Sequence, residues 1–112
     1  ISEHKAKMAA ENFKRAKLNN IKIVHGDALK EIPKLKGKFD FMFLDAMKED
    51  YINYFKLAYP KLAKNAVVAA DNAIMFERYM RDYLDYVRSS KSLRSVLVPI
   101  GSGVEFSLKL KW

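Results

Sequence analysis

Phe39-Asp40-Phe41-Met42-Phe43-Leu44-Asp45 decides the fold of this chain. Apart from Asp40 the run is apolar until it stops on a carboxylate. A strand buried on both faces reads this way, as in a parallel sheet covered by helices. Downstream, residues 49–63 space Tyr51, Tyr54, Phe55, Ala58 and Leu62 as one face of a helix, with a kink expected at Pro60. Ala66-Val67-Val68-Ala69-Ala70 is a further apolar strand, again ending on an acid, Asp71. Residues 75–88 are the clearest helix, with Phe76, Tyr79, Met80, Tyr83, Leu84 and Val87 on one face. The chain closes on runs over 95–100 and 104–110, joined by Gly101-Ser102-Gly103, which is a hairpin pattern.

Upstream, residues 29–35 read as a short helical turn around Pro33, and Ile21-Lys22-Ile23-Val24 as a short β-branched strand. Residues 3–17 carry Ala6, Ala9, Ala10, Phe13 and Ala16 at helical spacing, and Asn19-Asn20 stops that helix. Strand–helix alternation followed by a hairpin specifies an α/β fold: an open sheet, mostly parallel, with a carboxyl-terminal antiparallel hairpin. There is no internal repeat and no linker, so residues 1–112 read as one domain.

Composition narrows the function classes. The chain has 112 residues, half of them hydrophobic, which is enough for one core and is not the composition of disorder. Without cysteine there is no disulfide framework, zinc ribbon or thiol nucleophile, which is compatible with a reducing, cytoplasmic setting. No apolar run approaches the ~18–20 residues that span a bilayer, and no signal peptide is visible. The formal charge of +8 raises nucleic acid as a partner. The lysines are scattered apart from Lys30, Lys34, Lys36 and Lys38, and no run interleaves basic and aromatic residues, so a solvated basic surface is the better reading.

Ligands of open α/β sheets bind at the carboxyl ends of the strands. Three strands here end on Asp27, Asp45 and the pair Asp71-Asn72. Asp45, Asp71 and Asn72 are oxygen donors suited to a hard cation such as Mg²⁺. Lys48, three residues beyond Asp45, is placed to bring its ammonium to the same rim. Taken singly, an aspartate after a strand is more often a helix cap or a turn residue than a ligand, and the pattern alone establishes a polar rim. His4 and His25 lack partners at ligand spacing.

The segment from Phe39 to Tyr51 resembles the FDxxFxDxxKxxY stretch of cation-dependent class I O-methyltransferases of the catechol and caffeoyl-CoA type. Val67-Val68-Ala69-Ala70-Asp71-Asn72 is similar to their next strand, and His25-Gly26-Asp27-Ala28 resembles their adenine loop. Pro99-Ile100-Gly101-Ser102-Gly103-Val104-Glu105 resembles their closing hairpin, and the first helix their A-x-x-N-x-x-x-A helix. Together these motifs cover essentially the whole chain in the family's order. The resemblance implies a Rossmann-like methyltransferase sheet and transfer of a methyl group from S-adenosylmethionine to a hydroxyl of a small molecule. It implies Asp45, Asp71 and Asn72 as ligands of Mg²⁺ or a similar cation. Lys48 falls at the catalytic lysine beside Asp45, and Gly26, Asp27, Ala28 and Asp45 at cofactor-binding positions. A cation bound to a substrate hydroxyl lowers its pKa, and a lysine beside that cation becomes a better proton acceptor. Departures from the family pattern are Met47 in place of an acid, Asn65-Ala66 in place of Gly-Gly, and Ala73-Ile74-Met75-Phe76 without glycine.

The family's glycine-rich cofactor loop and ribose-binding acid have no counterpart in the sequence, so the resemblance implies the carboxyl-terminal part of a methyltransferase domain. The family's strand order, 3-2-1-4-5-7-6, makes residues 21–24 its third strand and 39–44 its fourth. Without strands 1 and 2 the third has no neighbour and the fourth keeps a bare edge, a pairing hazard. An amino-terminal segment or a second copy is expected on that edge. The alternatives are a truncated association module without catalysis, and, on charge alone, an RNA methyltransferase.

Overall fold

The computed structural model describes residues 3–17, 20–21, 23–24 and 26–110. They fall into two compact units, Ile1–Lys34 and Leu35–Trp112. The first holds α1 (Glu3–Arg15) and the one-turn helix α2 (Ala28–Glu31), which continues as a 3₁₀ turn over Ile32–Lys34. Among the described residues of 21–24, none is a strand; Lys22 and His25 lie outside them. A β-strand persists through a hydrogen-bonded neighbour, and this unit offers none among its described residues.

The second unit is a four-stranded sheet with helices on one face. Its strands are β1 (Phe39–Leu44), β2 (Leu62–Asp71), β3 (Leu93–Val98) and β4 (Val104–Lys109), in the order β1-β2-β4-β3. That order matches strands 4-5-7-6 of the implied fold. Only β1 and β2 pair in parallel, whereas β2–β4 and β3–β4 are antiparallel. Among the described strands the sheet is therefore mixed rather than mostly parallel, with one parallel pair.

Helices α3 (Tyr51–Ala58) and α4 (Arg81–Ser89) form the covering layer. Tyr51, Phe55, Tyr83, Leu84 and Val87 are buried there, as are Val68 and Ala70 of β2. Tyr83 meets both Tyr51 and Phe55 edge to face, with centroids 5.8 and 5.7 Å apart, a favourable arrangement of ring quadrupoles. Pro60 ends α3 rather than kinking it: a 3₁₀ turn over Tyr59–Lys61 leads directly into β2, which begins four residues before the expected 66. The 75–88 helix is also shorter than its periodicity implies. Residues 73–76 form a turn, Glu77–Tyr79 a 3₁₀ turn, and Phe76 and Tyr79 are exposed.

The opposite sheet face carries the rows Phe43–Ala69–Phe106–Val96 and Phe41–Val67–Leu108–Arg94, read from the strand register. Phe41 and Phe43 are 57% and 55% exposed, so β1 is not buried on both faces as its sequence suggests. It lies at the edge of the sheet, with β2 its partner among the described strands.

Candidate active site

Parallel pairing of β1 with β2 builds the site. The last registered pair is Leu44 with Ala70, so Asp45 and Asp71 follow side by side at the carboxyl ends of adjacent strands. Asn72 comes next and turns the chain at φ +70°, a left-handed conformation that asparagine tolerates better than most residues. Lys48 opens the 3₁₀ turn before α3. Its Nζ lies 2.9 Å from the Ala46 carbonyl oxygen and 3.6 Å from Asp45 Oδ1. The Tyr51 and Phe76 rings stand 5.3 and 5.6 Å from the same ammonium, close enough for cation–π attraction. Its side chain is 16% exposed and that of Asp45 52%, so this ion pair sits at a half-open rim.

The closing hairpin supplies a residue that sequence reasoning missed. Ser102 Oγ accepts a hydrogen bond from Asn72 Nδ2 at 2.9 Å and donates to Asp71 Oδ1 at 3.4 Å. Asp71 Oδ1 also accepts from the Asn72 backbone N–H at 2.8 Å. The 101–103 turn is locked to the loop after β2, with the Ala73 amide on the Gly103 carbonyl and the Ile74 and Met75 amides on that of Ser102. Gly103 has φ +89°, and a Cβ there would meet the Ile74 backbone nitrogen at 2.7 Å, so only glycine fits this crossing.

Tyr51, also missed, is fully buried beneath the rim. Its hydroxyl donates to the Leu44 carbonyl at 3.0 Å and the Asp71 carbonyl at 3.3 Å. Burial raises the phenol's pKa, with the neighbouring Lys48 ammonium opposing the shift. The motif tyrosine was visible in the sequence; its long-range hydrogen bonds were not.

Asp45, Lys48, Asp71 and Asn72 are thus brought to one rim. The donor set fits a hard cation: two carboxylates, and an amide whose nitrogen is turned to Ser102, leaving its oxygen as an acceptor. Among the described residues no group of three or more His, Cys, Asp or Glu is gathered. Gly26, Asp27 and Ala28 lie together in the first unit. Asp27 caps α2, its Oδ1 accepting from the Leu29 amide at 3.0 Å, and Ala28 is the first helical residue.

Comparison with known proteins agrees with the fold. Residues 1–110 match a family model described as O-methyltransferase. Caffeoyl-CoA O-methyltransferase 2 of Populus trichocarpa is 29% identical over 103 residues, covering 76% of this chain and 42% of that protein. Catechol O-methyltransferase of Mycobacterium tuberculosis is 37% identical over 71 residues, covering 62% and 32%. The chain therefore spans less than half the length of these relatives. In fold it resembles an O-methyltransferase from Bacillus cereus in complex with SAH (TM-score 0.85, 21% identity, 97% of this chain and 60% of that one). It equally resembles TomG of Streptomyces achromogenes in complex with SAM (TM-score 0.84, 23% identity, 97% and 59%). No helix among the described residues is long and apolar enough to cross a membrane.

Proposed function

Because the chain belongs to the O-methyltransferase family, we propose that it supplies part of a site for methyl transfer from S-adenosylmethionine to a hydroxyl of a small molecule. Residues 1–112 are then the carboxyl-terminal part of one methyltransferase domain. The observation that carries this is the convergence of Asp45, Lys48, Asp71 and Asn72 at the ends of two parallel strands. Relatives named for caffeoyl-CoA and catechol make a catechol-like hydroxyl the first substrate class to test.

Asp45, Asp71 and Asn72 would hold Mg²⁺ or a similar ion. Such an ion, when bound, acidifies a hydroxyl it ligates. Lys48 serves as the proton acceptor for that hydroxyl, with its Nζ steered by the Ala46 carbonyl and the flanking rings. Phe76 and Tyr51 restrict its motion, and holding the reacting groups in place is itself a large source of rate. Gly26, Asp27 and Ala28 are assigned to the adenine of the cofactor, Asp45 also to cofactor contact. Edge strand β1, with Phe41 and Phe43 exposed, supports pairing with a further strand, from an amino-terminal segment or a second copy.

The test is calorimetric titration of the intact protein with S-adenosylhomocysteine and Mg²⁺. Asp71→Ala should abolish the Mg²⁺ response and leave cofactor binding in place. A wild-type Mg²⁺ response in that variant refutes the ligand assignment.

A further inference from the structure

Strand ladders hold backbones at fixed spacing only as far as the pairing runs. Between β1 and β2 it runs to Leu44 and Ala70, one residue short of the two carboxylates at the rim. Past that point the spacing depends on something else. The Tyr51 hydroxyl lies on the carbonyls of Leu44 and Asp71 at 3.0 and 3.3 Å, so its single proton is shared between the ends of both strands. The ring that carries it is fully buried and stands edge-on to Tyr83, 82° from coplanar. Packing from the helical layer therefore fixes where the hydroxyl sits. Tyr51 also opens α3, directly after the 3₁₀ turn that begins at Lys48, and its ring is one of the two flanking the lysine ammonium.

We propose that Tyr51 is a positioning residue, which sets the separation of the Asp45 and Asp71 backbones by bridging the last carbonyls of their strands. This rests on the reading of those carboxylates as cation ligands given above. Tyr51 touches neither cation nor substrate in this role. It acts through the two strand ends, and on Lys48 through the segment they share.

Tyr83 provides an internal comparison. It is equally buried, and its hydroxyl has no hydrogen-bond partner among the described residues. Removing either hydroxyl deletes the same atom from the same layer, but only one removal releases the strand ends.

The test is Mn²⁺ titration of the full chain, followed by electron paramagnetic resonance, together with residue-resolved amide hydrogen exchange. Tyr51→Phe should weaken Mn²⁺ binding about 10-fold, the low end of the ~10–100-fold range for residues that orient metal ligands. Tyr83→Phe should leave it unchanged. Tyr51→Phe should also speed exchange at the Asp45 and Asn72 amides while sparing Leu84 and Val87 in α4. Wild-type Mn²⁺ affinity in Tyr51→Phe, with binding lost in Asp71→Ala, overturns the proposal. If wild type and Asp71→Ala bind Mn²⁺ equally, the ligand assignment fails, and exchange alone decides the bridge. Unchanged exchange at Asp45 and Asn72 then overturns it, and selective acceleration there upholds it.

Discussion

Replacing Arg88 with alanine should be among the most damaging single changes in the sheet unit. Its guanidinium holds Glu105 bidentately, with Nε 3.1 Å from one carboxylate oxygen and Nη2 2.9 Å from the other. Glu105 is completely buried on β4, while the Arg88 side chain is 42% exposed. The Glu105 hydrogen bond, more than its charge, raises the guanidinium's pKa, and burial opposes the rise only in part. Deleting Arg88 leaves a buried carboxylate with the Ser95 hydroxyl, at 2.6 Å, as its remaining side-chain donor among the described residues. Breaking a buried pair costs about 3–5 kcal/mol, and the exposed side of Arg88 admits water, so the lower end applies, about 3 kcal/mol. At roughly 4 °C per kcal/mol for a domain of this size, Tm should fall by about 12 °C. Thermal and urea denaturation of Arg88→Ala, Glu105→Gln and the double variant would measure it. The double variant should be more stable than Arg88→Ala, since the orphaned charge is gone. A loss below about 0.5 kcal/mol in Arg88→Ala, the scale of an ordinary surface change, or strict additivity in the double variant, would refute the reasoning.

Two other perturbations test the frame of the site. Lys109 is buried, with its ammonium on the carbonyls of Tyr59 and Leu62 at 3.0 and 2.6 Å. Burial first, and Lys38 second, lower its pKa below the ordinary 10.5. The folded state therefore disfavours the charged form, and that penalty, full below the folded pKa, disappears as pH climbs to the unfolded value. Wild type should gain stability relative to Lys109→Met between neutrality and pH 10.5 in urea titrations; the opposite slope contradicts this. Gly103→Ala should cost about 1–3 kcal/mol through its left-handed backbone and the clash at Ile74. It should also loosen the Asp71–Asn72 turn, seen as faster amide exchange there, and an unchanged melting curve would count against the packing argument.

Legibility in the sequence followed the range of the forces involved. The bounds of β1 were readable because an apolar run stops abruptly on Asp45, and α1 because its alanines keep a helical period. The amino-terminal end of α4 was not. Phe76 and Tyr79 keep helical spacing, but the Gly103 and Ser102 carbonyls capture the amides of residues 73–75 and turn the backbone before the helix starts. The early start of β2 depended on Pro60 closing a 3₁₀ turn and on Asn65 accepting φ +69°. An apolar run also looks the same whether both strand faces are covered or one is bare, so the exposure of Phe41 and Phe43 was hidden. The shared rim of Asp45, Lys48, Asp71 and Asn72 was legible because adjacent parallel strands end side by side on polar groups. Tyr51 and Ser102 act across 20 and 31 residues, and no local pattern announces that.

Under the proposed function, the rim of β1 and β2 works in methyl transfer with a divalent ion. It is tested most directly by transfer of a labelled methyl group from S-adenosylmethionine to a catechol, measured on the intact protein against Mg²⁺ concentration. Wild type should turn over only with the cation, and both Asp71→Ala and Lys48→Met should be inactive while remaining folded. Cation-independent transfer, or full activity in Asp71→Ala, would contradict the account.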